Sequence, residues 1–169
     1  MVFLAGPIQS VAVIGSGVMG AGIAAHCANA GCKVLLLDIA KEGDDRSAIA
    51  RTAIEQMAKS NPEMLMHKRN AKLISSGNIE DDLDKLSEVD WVIEVIIENL
   101  DIKRRLYASM SEHIGPATIV SSNTSTLPRA ELVEDMPSEM ASRFLITHFF
   151  NPPRYLPLLE IVTSSEVDG

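Results

Sequence analysis

Two hydrophobic patterns alternate along this chain. Short, mostly apolar runs occupy residues 10–14, 33–37, 91–96, 118–120, 144–147 and 158–162. Between several of them, apolar residues recur every three or four positions. The unbroken runs fit strands covered on both faces, and the wider spacing fits helices with one apolar face. The first helix is expected over residues 18–30, ended by Gly31. Ala48, Ile49, Ala53, Ile54 and Met57 predict a second over residues 44–60. Asn61 and Pro62 then read as the N-cap and first turn of a further helix, so that a helical hairpin is inserted after the second strand. Residues 72–75 read as a short strand and residues 81–87 as a helical turn. Ile102, Leu106 and Met110 form one stripe of a helix over residues 100–114, broken by Gly115 and Pro116. Pro128 opens another helix, to about Glu134.

Composition narrows the class. The chain has 169 residues, enough for one domain with a sizeable core. It is 46% hydrophobic and 22% charged, an ordinary globular mix. A net charge of -8 argues against nucleic acid or an anionic membrane surface as partner. No apolar run approaches the roughly 18 residues of a membrane span. Residues 1–9 read as a lead-in and lack the cationic flank of a signal peptide. The two cysteines, Cys27 and Cys32, fit neither a disulfide framework nor a zinc pattern, and a reducing, cytoplasmic setting is expected. No metal site is expected. His26 and Cys27 read as packing or surface residues. His67, Lys68, Arg69 and Lys72 form a basic cluster that reads as a solvated helix end, with a phosphorylated substrate as the alternative.

The candidate chemistry begins between the first two strands. Gly15-Ser16-Gly17-Val18-Met19-Gly20 follows an apolar strand and opens a helix, and a second strand ends in Asp38. In that context Gly15 makes the tight turn and Gly17 lets a pyrophosphate approach the backbone. Gly20 lets the helix pack close to the sheet. The helix N-terminus offers free N–H groups and partial positive charge to phosphates. Asp38 lies about 20 residues on, where a carboxylate accepts hydrogen bonds from an adenosine ribose and would repel a 2′-phosphate. The pattern therefore predicts NAD rather than NADP. A helix-packing turn without ligand is the alternative.

Short connections between alternating strands and helices predict an α/β fold: a Rossmann-type, doubly wound, mostly parallel sheet over residues 10–169. Ligands of such sheets bind beyond the carboxyl ends of the strands. Gly15, Asp38, Glu98, residues 121–125 and His148 all follow expected strand ends, so they should gather at one rim.

Several stretches together resemble a known family. They are residues 15–22, Ile97-Glu98-Asn99-Leu100 with Lys103, Ser122-Asn123-Thr124-Ser125, His148-Phe149-Phe150-Asn151-Pro152, and Leu159-Glu160-Ile161. In this order they resemble the NAD-binding domain of the 3-hydroxyacyl-CoA dehydrogenases of fatty-acid β-oxidation. The stretch from Asn151 to Glu160 looks most like the large prokaryotic forms fused to an enoyl-CoA hydratase domain. It is also similar to the λ-crystallin-like L-gulonate dehydrogenases, but Phe149 and Phe150 favour the acyl-CoA branch.

The resemblance implies NAD-dependent oxidation of (3S)-3-hydroxyacyl-CoA to the 3-ketoacyl-CoA. It implies His148 as general base, Glu160 as the group that orients it, and Ser125 as hydrogen-bond donor to the substrate oxygen. Asn151 and Glu98 would position cofactor and substrate groups, with Lys103 near the cofactor. Other readings are a buried histidine at His148, a helix cap at Ser125, a turn residue at Asn151, a helix N-terminal acid at Glu98 and a surface lysine at Lys103.

Expected partners are an acyl-CoA substrate, a C-terminal helical domain of the same chain, a fused enoyl-CoA hydratase domain and a second copy in a homodimer. The family's helical domain would follow Gly169, so this chain reads as a piece of a longer polypeptide, weakly active or inactive alone. The expected hairpin does not match the family's CoA-contacting serine and lysine, and those two roles are not assigned. Two other functions stand beside this one: a dehydrogenase of free hydroxy acids such as gulonate, and a non-catalytic NAD(H)-binding module.

Overall fold

A computed structural model describes residues 6–164. The lead-in expected over residues 1–9 therefore lies partly outside the described residues. Seven strands form one sheet in the order β3-β2-β1-β4-β5-β6-β7. β1 (Ser10–Ile14), β2 (Lys33–Asp38), β3 (Ile74–Asn78), β4 (Trp91–Glu94), β5 (Ile119–Ser122) and β6 (Phe144–Phe149) run parallel. β7 (Leu159–Val162) is antiparallel to β6. Nine residues separate these two strands, fewer than the dozen or so that a parallel crossover needs.

Strand β1 shows why its run is apolar from Val11 to Ile14. Val11 and Val13 pack with helix α1 (Val18–Asn29) and helix α2 (Ala48–Met57) on one face. Ala12 and Ile14 pack on the other with helix α3 (Leu100–Ser111), α4 (Arg129–Val133) and α5 (Ser138–Ala141). Successive side chains point to opposite faces, so a strand covered on both sides has no position that favours an unpaired polar side chain. The chain order reverses between β1 and β4, and the crevice of such a sheet opens at that point.

The insertion after β2 departs from the expected hairpin. Its first arm is α2, shorter than residues 44–60. Its second arm is not an α-helix from Asn61: residues 61–67 are irregular, and a 3-10 helix follows at Lys68–Leu73. Tertiary hydrogen bonds explain the difference. Asn29 on α1 donates to the Met64 carbonyl and accepts from Met66 N and Asn70 Nδ2. Ser60 Oγ accepts from Met64 N. These side chains satisfy backbone groups that a helix would otherwise pair internally. The strand expected at residues 72–75 begins two residues later, in register with Val34. The short helix α5 adds to the expected elements. No helix among the described residues is long and apolar enough to cross a membrane.

Candidate active site

The glycine turn is shaped by backbone sterics. Gly15 has φ of 105°, and a Cβ there would lie 2.5 Å from the Val95 carbonyl oxygen. A Cβ on Gly20 would lie 1.8 Å from the Gly15 carbonyl oxygen, so helix α1 can start here only with glycine. At Gly17, by contrast, a Cβ would meet no atom within 4 Å, which leaves the backbone open to a ligand. Gly17 caps α1 with no side-chain hydrogen bond, and the first turn holds no acid. The first turn of α1 thus brings no carboxylate of its own to its N–H groups and positive dipole end. Asp38 sits beside this turn at the tip of β2. It accepts from Ser16 N at 2.6 Å, Ser16 Oγ at 2.5 Å and Ile39 N at 2.7 Å. A carboxylate offers about four acceptor positions, so one remains for a ribose hydroxyl. These features fit a dinucleotide.

A second group of residues meets across β6 and β7. His148 and Glu160 are direct partners in the antiparallel register. His148 Nδ1 lies 2.8 Å from Glu160 Oε2. The imidazole is 24% exposed and the carboxylate 57%, so the reading of His148 as a buried core histidine is excluded. His148 also meets the Phe150 ring edge-on at 4.7 Å between centroids. Ser125, exposed on the loop after β5, lines one cleft of about 250 Å³ with His148 and Glu160. Ser125 caps no helix; Pro128 occupies the N-cap of α4.

Between these groups lies a buried polar network that sequence reasoning missed. Glu94, at the end of β4, is 0% exposed. Its Oε1 accepts from Lys103 Nζ at 2.5 Å and Ile96 N at 2.8 Å. Its Oε2 accepts from Tyr107 Oη at 2.7 Å and Ser122 Oγ at 2.6 Å. Burial, followed by the nearby Glu94 charge, pushes the Tyr107 phenol above its ordinary range. Lys103 is 1% exposed, which rules out the surface-lysine reading; its ammonium also lies 3.5 Å from Glu98 Oε2. Glu98 precedes the N-cap Asn99 and accepts from the Thr124 and Thr126 hydroxyls. Burial opposes its charge, but those donors and Lys103 hold its carboxyl below the ordinary value. A signal for Glu94 was present: an acid within an otherwise apolar strand needs a buried partner.

The rim holds the expected residues, but in separate clusters. Asn151 is exposed and lines a different cleft, with Val18, Pro62 and Pro153. Pro153 packs against α1 where a Cβ on Gly22 would come within 3.0 Å. Met19 is half-buried at the first turn of α1, beside exposed Val18. The basic cluster stays solvated: His67, Lys68, Arg69 and Lys72 are exposed, and His67 Nδ1 accepts from Arg69 N. Cys27 is buried and its thiol is pushed up to about 12 by burial; Cys32 is half-buried, and both are free. A larger, open depression of about 1180 Å³ lies at the amino ends of strands β1 to β4, the end away from the rim. It carries Lys33, Lys72, Asp84 and Glu88 and none of the expected site residues, so its size does not make it the site.

Comparison with known proteins agrees with this geometry. Residues 10–169 match the family model described as 3-hydroxyacyl-CoA dehydrogenase, NAD binding domain. The chain is 46% identical over 176 residues to a probable 3-hydroxyacyl-CoA dehydrogenase of Bacillus subtilis, covering 95% of this chain and 22% of that protein. It is 50% identical over 161 residues to a putative fatty acid oxidation complex trifunctional enzyme of Rickettsia felis, with the same coverage of 95% and 22%. Among solved structures, the 3-hydroxybutyryl-CoA dehydrogenase of Escherichia coli K12 superposes with a TM-score of 0.79 at 31% identity. That match covers 95% of this chain and 34% of the other. The chain thus spans between a fifth and a third of these relatives' lengths. With the glycine turn, Asp38 and the sheet order already in place, these matches make the chain a member of the 3-hydroxyacyl-CoA dehydrogenase family, corresponding to its NAD-binding domain.

Proposed function

We propose that this chain is the NAD-binding part of an enzyme that oxidises (3S)-3-hydroxyacyl-CoA to 3-ketoacyl-CoA. The observation that carries the reading is the His148–Glu160 pair, 2.8 Å apart beside a cleft that Ser125 also lines. Oxidation of a secondary alcohol needs a base for the hydroxyl proton while hydride leaves the carbon. His148 Nε2 takes that proton. Glu160 accepts the Nδ1–H, fixes the tautomer with Nε2 as the basic nitrogen, and stabilises the imidazolium that forms. Ser125 Oγ donates to the substrate oxygen and orients it. NAD, when bound, supplies the hydride acceptor. The Gly15–Gly20 turn and the start of α1 hold its pyrophosphate, and Asp38 holds the adenosine ribose. Glu98 and Asn151 position cofactor and substrate groups, and Lys103 backs Glu98 near the cofactor.

The same reading extends to the whole protein. Leu156, Leu158, Leu159, Ile161 and Val162 are exposed along β7 and its approach, which supports a covering helical domain. The name of the Rickettsia felis relative, a putative fatty acid oxidation complex trifunctional enzyme, supports fusion to further activities, and we take an enoyl-CoA hydratase domain to be one of them. We place the protein in the cytoplasm and pair the complete enzyme as a homodimer.

The test uses the full-length protein with NAD, following NADH absorbance. Activity with 3-hydroxybutyryl-CoA and none with free 3-hydroxybutyrate or gulonate is the expected result. Turnover of a free acid in preference to the thioester, or no NADH formation with thioesters of any chain length, rejects it.

A further inference from the structure

We propose that Glu94 is a positioning residue that fixes, from below, the two loops carrying Glu98 and Ser125. The proposal rests on the function assigned to Ser125 above. The geometry is specific. Glu94 Oε1 holds Ile96 N in the loop that leads to Glu98, and Oε2 holds Ser122 Oγ. Ser122 Oγ in turn accepts from Thr124 N, and the Glu94 carbonyl accepts from Asn123 N at 2.8 Å. Ile96, Ser122 and, through Ser122, Thr124 are therefore tied to one buried carboxylate, and Asn123 to the main chain of the same residue. Glu98 closes the circuit through Thr124 and Thr126, on either side of Ser125.

Charge makes the arrangement demanding. The buried Lys103 ammonium faces Glu94 at 2.5 Å and Glu98 at 3.5 Å. With Glu94 neutral, Glu98 becomes the acid left to balance Lys103, and the attraction draws it from Thr124 and Thr126. Glutamine at position 94 also turns one acceptor oxygen into a donor NH2. That NH2 either opposes the Lys103 and Ile96 donors or faces the Tyr107 and Ser122 hydroxyls, which must then turn from donating to accepting. A buried ion pair is weak evidence for stability, since apolar residues of similar volume often do as well. What this one supplies that an apolar residue cannot is a directed contact at the base of each loop, to Ile96 N and Ser122 Oγ, beside two to helix α3.

The test uses the full-length protein and the variant E94Q. Amide hydrogen exchange is compared over residues 95–99 and 122–127, with β1 and β2 as the internal reference. The expected result is a rise of about tenfold or more confined to the two loops. No change, or an equal rise in β1 and β2, overturns the proposal. Should E94Q fail to fold, Y107F removes a single donor, and the same confined rise, smaller in size, is required of it. Kinetics give a second arm through a double-mutant cycle with S125A. If Glu94 acts through Ser125, adding E94Q to S125A lowers kcat by less than about twofold. Losses that multiply independently overturn it. The exchange arm needs no turnover. A wild-type protein without thioester activity would therefore refute the proposed reaction, while the exchange comparison would still decide whether Glu94 holds the two loops.

Discussion

Strands β1 to β3 and strands β4 to β7 reach the same rim with different materials. The first half presents backbone. Its turn is built of Gly15, Gly17 and Gly20, its core is apolar, and the acid beside the turn, Asp38, is held by the turn itself. The second half presents side chains: His148, Glu160, Ser125 and Glu98. Beneath them it buries Glu94, Lys103, Ser121, Ser122, Thr124 and Thr147. Thr147 Oγ1 and Trp91 Nε1 both donate to Ser121 Oγ, and Asn123 Oδ1 accepts from Phe149 N beside His148. Binding a pyrophosphate needs N–H groups and space, which glycine and a helix end supply. Aiming an imidazole and a hydroxyl needs neighbours that fix side-chain direction. Function by backbone and function by side chain thus ask different things of the residues beneath.

Perturbing each half separately breaks or sharpens that contrast. The largest effect is expected from H148Q in the full-length protein. The rate should fall roughly 10²- to 10⁴-fold, the scale of a lost general base, with NADH affinity kept. G20A should do the reverse. Its Cβ would strike the Gly15 carbonyl at 1.8 Å, so NADH affinity by fluorescence titration should fall about tenfold or more. Unfolding by urea should show a loss of about 1–3 kcal/mol, as for overpacking elsewhere. E160Q should lower kcat by about ten- to a hundredfold, or 1.4–2.8 kcal/mol on the barrier, and leave NADH affinity unchanged. A loss of NADH binding in E160Q would erase the division between the halves.

The smallest effect concerns the seam between them. Asp90 Oδ2 accepts from Gln9 N, Ser10 N and Ser10 Oγ, joining the start of β1 to β4. The Gln9 N–H and then the Ser10 groups hold its carboxyl below the ordinary value of 3.8. A depressed folded value gives stability that is present above pH 3.8 and lost as pH falls through the folded value. D90N should therefore flatten the acid limb of the stability curve, by no more than about 1 kcal/mol for so exposed a group. A thermal-denaturation series from neutral to acid pH measures it.

The two halves were also unequally legible in the sequence. The glycine turn, α1 and Asp38 lie within one continuous stretch, because a βαβ unit is a local structure with fixed spacing. The strands of both halves were readable from their apolar runs, except β3, whose Ile-Ser-Ser-Gly-Asn is mostly polar. The insertion was less so. Asn61 and Pro62 carry the local marks of a helix start, but Asn29, far back in the chain, captured the backbone of Met64 and Met66. Glu94 lay in plain view as a charge in an apolar strand, yet its partners Lys103, Tyr107 and Ser122 are 9, 13 and 28 residues away.

By itself the sequence determined the order of the strands and of helices α1 to α4, the phosphate-binding turn and the identity of the residues at the rim. These depend on period, sterics and side-chain chemistry, all local quantities. Tertiary structure alone decided that β7 turns back antiparallel, which sets Glu160 opposite His148, and that one buried carboxylate ties β4, α3 and β5 together. Register and burial are properties of surfaces that meet only once the chain has closed. No spacing along the chain encodes the 2.8 Å between that imidazole and that acid.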